Sequence, residues 1–311
     1  MNYPAFHGDD VVSSSPETAL FHILPVPLEE TVSYGGGTAA GPRAILEASR
    51  QLELFDGRSV PADYGLTTAA EMDCSGTIDE TLGKLRRKVS RIAARRAVPV
   101  ILGGDHAIGF ATVRGIAQCT SKRIGIVHFD RHADIQEKDL DERMHTTPWY
   151  HATNLPNVPA VNLVQVGIGG WQVPREAVKV ARERDTTILT MRDVEELGLD
   201  KTAEIALDIA WKDADAVYIS FDIDSVDCGF VPGTGWPEPG GFLPREALHL
   251  VGRVAAEGIC GLEVVEVSPP YDTSDITALL ATRVIVDILG SMVAHGKLGS
   301  HKPLIDKPVS F

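Results

Sequence analysis

The chain is poor in cysteine. Its four, Cys74, Cys119, Cys228 and Cys260, show no Cys-x-x-Cys spacing. That pattern gives no disulfide framework and fits reduced, mostly buried thiols in a cytoplasm. Excess basic charge is also lacking. Against 43 Asp and Glu there are 29 Lys and Arg, a net charge of −14. Nucleic-acid binding needs basic patches, so this balance argues against it, while it suits a small cationic substrate. No basic segment followed by an apolar run opens the chain, and no span of about 18 apolar residues is evident. The expectation is a cytoplasmic protein without a membrane partner. Glycines 35–37 are followed by no Lys-Ser/Thr pair, so a phosphate-cradling P-loop is rejected. No Pro/Ser-rich linker and no internal repeat divides the sequence.

What is present is ordinary globular material: 311 residues, 44% hydrophobic, 23% charged, with a mean hydropathy of +0.00. This supplies one large core. Residues 1–18, rich in Ser, Pro and Asp, read as an irregular arm, and residues 19–311 as a single domain. Apolar strand-like runs fall at 21–26, 100–102, 126–129, 161–168, 187–190, 217–222 and 262–267. Between them lie helical stretches near 42–49, 79–96 (with Asp79 as cap), 108–118, 200–212, 244–257 and 276–294. Strand and helix alternate, which predicts an α/β fold of three layers, α/β/α, around a mainly parallel sheet.

The stretch Ile126 to Asp134 organises the chain. It runs from apolar residues into Asp130, His132 and Asp134 at every second position. In extended backbone such residues project to one side. Two carboxylates and an imidazole with no cation between them repel one another, and a divalent metal is the economical explanation. Two further strands end alike: Val100 to Leu102 breaks on Gly103-Gly104 and presents His106, and Val217 to Phe221 ends in Asp222 and Asp224. Sites in parallel sheets gather at the carboxyl ends of strands. Six donors are more than one ion needs, so two divalent ions are expected. Asp105, His128 and Asp227 read as buried hydrogen-bonding neighbours of these ligands.

These residues resemble the ureohydrolases, the family of arginase and agmatinase. Gly-Gly-Asp-His at 103–106, Asp-x-His-x-Asp at 130–134, Ser-Phe-Asp-Ile-Asp at 220–224, Pro-Gly-Thr-Gly at 232–235 and Glu-Val-Ser-Pro-Pro-Tyr-Asp at 266–272 come in that family's order. The resemblance implies one ion on His106, Asp130, Asp134 and Asp222, and another on Asp130, His132, Asp222 and Asp224. It implies that a hydroxide shared by the ions attacks the carbon of a guanidinium. It makes Glu266 the carboxylate that pairs with that guanidinium, and His145 a proton shuttle to the leaving amine. It also implies a homo-oligomer, a hexamer.

The substrate is sought in the stretch Gln136 to Arg143, where arginase-like enzymes place Ser and Asn donors for an α-carboxylate. Here it carries four acids, Glu137, Asp139, Asp141 and Glu142, and these repel a carboxylate. Arginine is therefore a poor candidate. Arg131 stands where the agmatinase pattern has Ala, Thr146 replaces a Gly, and Trp149 and Trp236 occupy positions that narrow a pocket and face a planar cation. With Asp139, these tryptophans are the expected substrate-binding residues. The segment from Asp130 to Trp149, with Gly235 to Gly241, looks most like the nickel-dependent guanidine hydrolase branch. Free guanidine is the expected substrate and Ni2+ the expected metal. Mn2+ is the alternative ion, agmatine or a biguanide such as metformin the alternative substrates, and a non-catalytic partner subunit the alternative role.

Overall fold

The computed structural model describes residues 4–298. The last part of the expected 19–311 domain, residues 299–311, and the first three residues of the arm lie outside the described residues. Eight strands form one sheet: β1 Phe21–Val26, β2 Leu66–Thr68, β3 Val98–Gly103, β4 Ile124–Phe129, β5 Leu163–Ile168, β6 Thr187–Thr190, β7 Ala216–Asp222 and β8 Gly261–Val265. Their order is β2-β1-β3-β8-β7-β4-β5-β6, and every neighbouring pair is parallel. β1, β3, β4, β5, β7 and β8 are buried along their whole length. That is why they read as continuous apolar runs rather than alternating ones.

Helices cover both faces. On one lie α1 Gly41–Ser49, α6 Met191–Leu197, α7 Leu199–Ala210, α8 Pro244–Ala255 and α9 Ile276–Ala294. On the other lie α2 Ile78–Ala94, α3 Ile108–Ala117, α4 Pro148–Ala152 and α5 Arg175–Glu183. The fold is the expected three-layer α/β/α. Short β2, α4 and α6 were not anticipated, because a few residues carry no readable period; α5 was missed although Ala177, Val180 and Ala181 are buried at helical spacing. α2 is capped by Thr77, not Asp79: the Thr77 hydroxyl accepts from Glu80 N and the Glu80 carboxylate accepts from Thr77 N.

One expectation about apolar length needs correction. α9 spans 19 residues and is apolar enough to cross a membrane, but two-thirds of it (67%) is buried within the protein. It packs on α1 and α8, so its apolar surface is satisfied by the core. The arm 4–18 holds one short 3-10 turn and is packed down at its start, while most of residues 12–18 are exposed. Phe6 is fully buried and His7 N donates to Ser49 Oγ at 2.8 Å.

The sheet order places the site. β7 and β8, the last strands in the chain, sit between β3 and β4. Connections therefore leave in opposite directions on either side of this central quartet, and a crevice opens at the carboxyl ends of its strands.

Candidate metal centre and substrate cavity

Each strand of that quartet delivers part of one cluster. His106 follows β3, Asp130 to Asp134 follow β4, Asp222 and Asp224 close β7, and Glu266 follows β8. After β3 the chain turns tightly under the segment at residue 28, where a Cβ on Gly104 would stand 1.8 Å from Leu28 O. Only glycine passes there, and the turn swings His106 inward. The segment from Asp130 to Asp134 is not extended strand as expected. β4 stops at Phe129, and Asp134 sits at φ +43°. Convergence comes from a loop that curls back, because Asp134 in left-handed backbone points where a straight strand would not take it. Glu266 likewise has φ +63°, and the strand expected to reach Val267 ends at Val265. Non-glycine residues in this region store roughly 1–3 kcal/mol of strain each, and such strain concentrates at functional sites.

The six expected ligands meet in space. His106, Asp130, Asp134 and Asp222 form one group able to hold a metal ion, and Asp130, His132 and Asp224 another. His106 Nδ1 stands 3.3 Å from Asp130 Oδ2, 3.0 Å from Asp134 Oδ2 and 3.2 Å from Asp222 Oδ2. His132 Nδ1 stands 3.1 Å from Asp224 Oδ2 and 3.4 Å from Asp130 Oδ1. Asp130 is shared between the groups, one oxygen to each side.

The outer nitrogens show which inner nitrogens are available. His106 Nε2 lies 2.9 Å from Ser220 Oγ, and that hydroxyl donates to the buried Glu263 at 2.8 Å. Thr112 Oγ1 donates to the other Glu263 oxygen at 2.9 Å. His132 Nε2 faces Gln172 Oε1 at 3.1 Å. With the proton held on Nε2 by an outer acceptor, Nδ1 presents a lone pair to the cluster. His106 Nδ1 is buried and has no hydrogen-bond partner. A buried nitrogen facing three carboxylates is a donor set that a hard divalent cation satisfies. The donors present fit a metal.

The charges in this cluster show the same tension. Burial opposes charge on His106 and His132, yet the surrounding aspartates outweigh it and raise both imidazoles well above their usual range. Burial and the Asp130 charge push Asp134 up to about 6, and burial with the neighbouring Asp224 and Asp130 raises Asp222 well above its usual range. Asp130 is pulled below its usual range: burial works against its charge, but the three histidines around it prevail. Groups whose folded pKa is raised stabilise the fold at low pH and lose that contribution as pH climbs through the raised value. The raised cluster groups therefore contribute less to the metal-free fold as pH rises from about 4 through 6 and beyond, while His128 and His145, held down to about 4, contribute in the opposite sense over the same range. Metal uptake releases the trapped protons, so affinity tightens with pH. Melting curves of stripped and reloaded protein at pH 5 and pH 8 check this: the gap between them should widen at pH 8, and a constant gap would refute it.

A cavity of about 330 Å³ lies over the cluster. His132, Asp134, Asp222 and Asp224 form its floor, and His145, Glu266, Trp236 and Asp139 stand in its walls. Of the four acids between 136 and 143, only Asp139 reaches it. Gln136 also lines it, and sequence reasoning missed Ser33 and Gln172, which do so too. They lie in loops with no period or motif, and Gln172 is 40 residues from the histidine it touches. Glu266 Oε1 accepts from His106 N at 2.7 Å and lies 3.8 Å from His145 Nδ1. Burial, then the charges of His132 and His106, drive the His145 imidazole down to about 4. Its position is set by hydrogen bonds: His145 N donates to Thr31 Oγ1 at 2.9 Å, Thr31 donates to Asp105 at 3.1 Å, and His145 Nε2 meets Ser33 Oγ at 2.8 Å. Asp105 also accepts from the backbone of Glu30 and Thr31. Its part is to hold the loop that holds His145.

Trp149 does not stand where it was expected. It is fully buried, beneath the cluster rather than in the cavity wall. Its Nε1 points at His128 Nε2, 3.1 Å away, and its ring meets the His106 ring edge-on at 5.6 Å. α4 turns it inward, so it cannot touch substrate. His128 also contacts Asp130 Oδ2 at 2.7 Å and, driven down to about 4 by burial, is a neutral support. Asp227, half-buried, accepts from Gly229 N and Gly240 N, outside the cluster.

A parallel three-layer α/β fold with carboxylates and imidazoles converging at the carboxyl ends of its central strands defines an α/β metallohydrolase. The Arginase family model matches residues 19–290, and the chain belongs to the arginase family. It is a metal-dependent amidinohydrolase. An agmatinase of Chromobacterium violaceum is 32% identical over 279 residues, covering 85% of this chain and 81% of the relative. Proclavaminate amidinohydrolase of Streptomyces clavuligerus is 31% identical over 277 residues, 86% of each. The solved structure of the latter superposes with a TM-score of 0.86 at 27% identity, covering 95% of this chain and 98% of that one.

Proposed function

We propose that this enzyme hydrolyses a small guanidino compound bearing no carboxylate, free guanidine first, breaking one C–N bond to give urea and ammonia. The observation that carries this is the cavity's charge. Outside the proposed ligand set its lining holds two carboxylates, Asp139 and Glu266, and no Lys or Arg. An acidic tail finds no partner there, whereas a guanidinium does. Two divalent ions, one on His106, Asp130, Asp134 and Asp222 and one on Asp130, His132, Asp222 and Asp224, supply an acidified water and offset the carboxylate charge when bound. Nickel is favoured on the resemblance of the segment from Asp130 to Trp149 to the nickel-dependent guanidine hydrolases; oxygen and imidazole donors accept manganese, the alternative, as well.

Glu266 pairs with the guanidinium. His106 N already holds Oε1, which fixes the carboxylate plane so that its other oxygen faces the ligand. His145, neutral at working pH, accepts a proton on Nδ1 and hands it to the departing nitrogen, with Ser33 holding the far side of the ring. Trp236 closes the wall, its ring 5.1 Å from that of Tyr34 and 6.3 Å from that of His132. Homo-oligomerisation, as a hexamer, belongs to the same reading, and native mass spectrometry tests it.

Agmatine is the second reading, favoured by volume. At about 30 Å³ per water, 330 Å³ holds more than guanidine and an attacking water displace. Stripped protein reloaded separately with Ni2+ and Mn2+, then offered guanidine, agmatine, arginine and metformin, decides between them. Urea from guanidine and little from agmatine supports the first reading. Preferred turnover of agmatine establishes the second. Dimethylamine from metformin would instead point to a biguanide hydrolase, and absence of any turnover to a non-catalytic subunit. Trp236→Gly should raise the agmatine-to-guanidine ratio of kcat/KM by about tenfold or more. An unchanged ratio removes Trp236 as the size filter.

A further inference from the structure

Arg131 lies between two ligands in sequence, yet its side chain turns away from the cluster. Its guanidinium is buried and reaches two loops. Nη1 donates to Gly167 O at 3.3 Å and Gly240 O at 3.2 Å, and Nη2 donates to Pro239 O at 3.3 Å and Glu238 Oε2 at 3.4 Å. Gly167 belongs to the end of β5. Glu238, Pro239 and Gly240 belong to the connection from β7 to α8.

Glu238 carries the link onward. Its other oxygen accepts from Trp171 N at 2.7 Å. Gly170, at φ +75°, passes so close that a Cβ would stand 1.9 Å from Glu238 Oε2, so this approach requires glycine. Gly169 N donates to Arg131 O at 3.1 Å. In the loop after β5 the Trp171 side chain is 100% exposed, so Trp171 is held by its backbone, while Val173 packs against the core. Between these two, Gln172 is the partner of His132 Nε2. On the opposite side, Trp236 stands two residues before Glu238 in the cavity wall. A buried guanidinium loses its hydration and is stable only with fixed acceptors. Here the acceptors belong to the two loops that touch the site from different directions.

We propose that Arg131 and Glu238 are positioning residues: a buried clamp that orients His132 through Gln172 and holds Trp236 at the cavity wall. Ligand orientation and cavity width are then set by one ion pair. The part concerning His132 rests on its role as a metal ligand.

Hydrogen exchange on the full chain, read by mass spectrometry, tests the clamp without substrate or metal. In Glu238→Ala and in Arg131→Met, amides at 167–173 and at 235–241 should both exchange about ten- to a hundredfold faster, the scale of a lost hydrogen bond to a charged group. Amides in β3 and α9 should keep their rates. If Glu238→Ala loosens only its own loop, the clamp is refuted. Should Arg131→Met fail to fold, Glu238→Ala, which leaves the Gly167, Pro239 and Gly240 carbonyls to the guanidinium, decides alone. Calorimetric titration with Ni2+ should show one of two ions weakened about tenfold or more in Glu238→Ala. Unchanged affinity at both ions would refute the link to His132. Uptake of a single ion by the unaltered protein would refute the two-ion reading instead, and the exchange result still decides the clamp.

Discussion

Asp130→Asn should abolish turnover and strip the protein of metal. Asp130 gives one oxygen to each half of the cluster, so the change removes a charge that both ions share. Taking one partner from a buried charge set is worth roughly 3–5 kcal/mol. At about 1.36 kcal/mol per factor of ten, metal affinity should fall by roughly two to four powers of ten. The metal-free fold should survive, because the asparagine keeps the shape and relieves repulsion against Asp134 and Asp222. Elemental analysis after dialysis, beside a melting curve of stripped protein, checks both halves. Full activity with two ions bound would end the two-ion mechanism. A collapsed melting curve would make the loss uninformative, and Asp222→Asn would then repeat the test from the neighbouring strand.

His145→Ala should behave in the opposite manner, keeping its metal and losing turnover. The side chain touches no carboxylate of the floor within ion-pair range. Its nearest carboxylate is Glu266 at 3.8 Å, and its ring is held from the far side by Ser33. General acid–base catalysis contributes about 10²–10⁴ in rate, and kcat should drop within that range while metal content stays level. Because burial and the neighbouring imidazoles hold His145 down to about 4, the acid limb of the unaltered enzyme should reflect metal release rather than this ring. An unimpaired rate in the alanine protein would remove His145 from the mechanism. Partial rescue by added imidazole would strengthen its place there.

Much of this was legible in the sequence, and for a physical reason. Strands buried on both faces must be apolar throughout, so β3, β4 and β7 are visible as runs, and the polar residues that end them stand out. All six expected metal donors were picked out that way, and the structure brings them together. The geometry that joins them was not, since the chain curls at Asp134 and Glu266 through backbone conformations that residue type does not announce. Trp149 illustrates the same limit. Its motif neighbours placed it at the active site, which is true, but whether an aromatic faces the cavity or props the cluster from below depends on a five-residue helix with no readable period. Gln172 and Ser33 were invisible because a polar loop residue carries no mark of its partner. The acids at 136–143 illustrate the gain in resolution: one of four, Asp139, faces the cavity.

The strand order has a consequence for how the molecule comes into being. β3 and β4 are consecutive in the chain but are not neighbours, and the two strands that fill the gap between them, β7 and β8, are synthesised last. As the chain leaves the ribosome, its first six strands can pair only as two separate flaps, β2-β1-β3 and β4-β5-β6. The last ones wedge in and zip the halves together. Long-range parallel pairing of this kind is slow. The metal donors span both flaps and the wedge, so no ion can be captured with full coordination until the centre of the sheet is closed. Metal uptake is thus a report on completed assembly, and a chain stopped before residue 216 has four of the six donors, His106, Asp130, His132 and Asp134, and lacks the strands that bring them together.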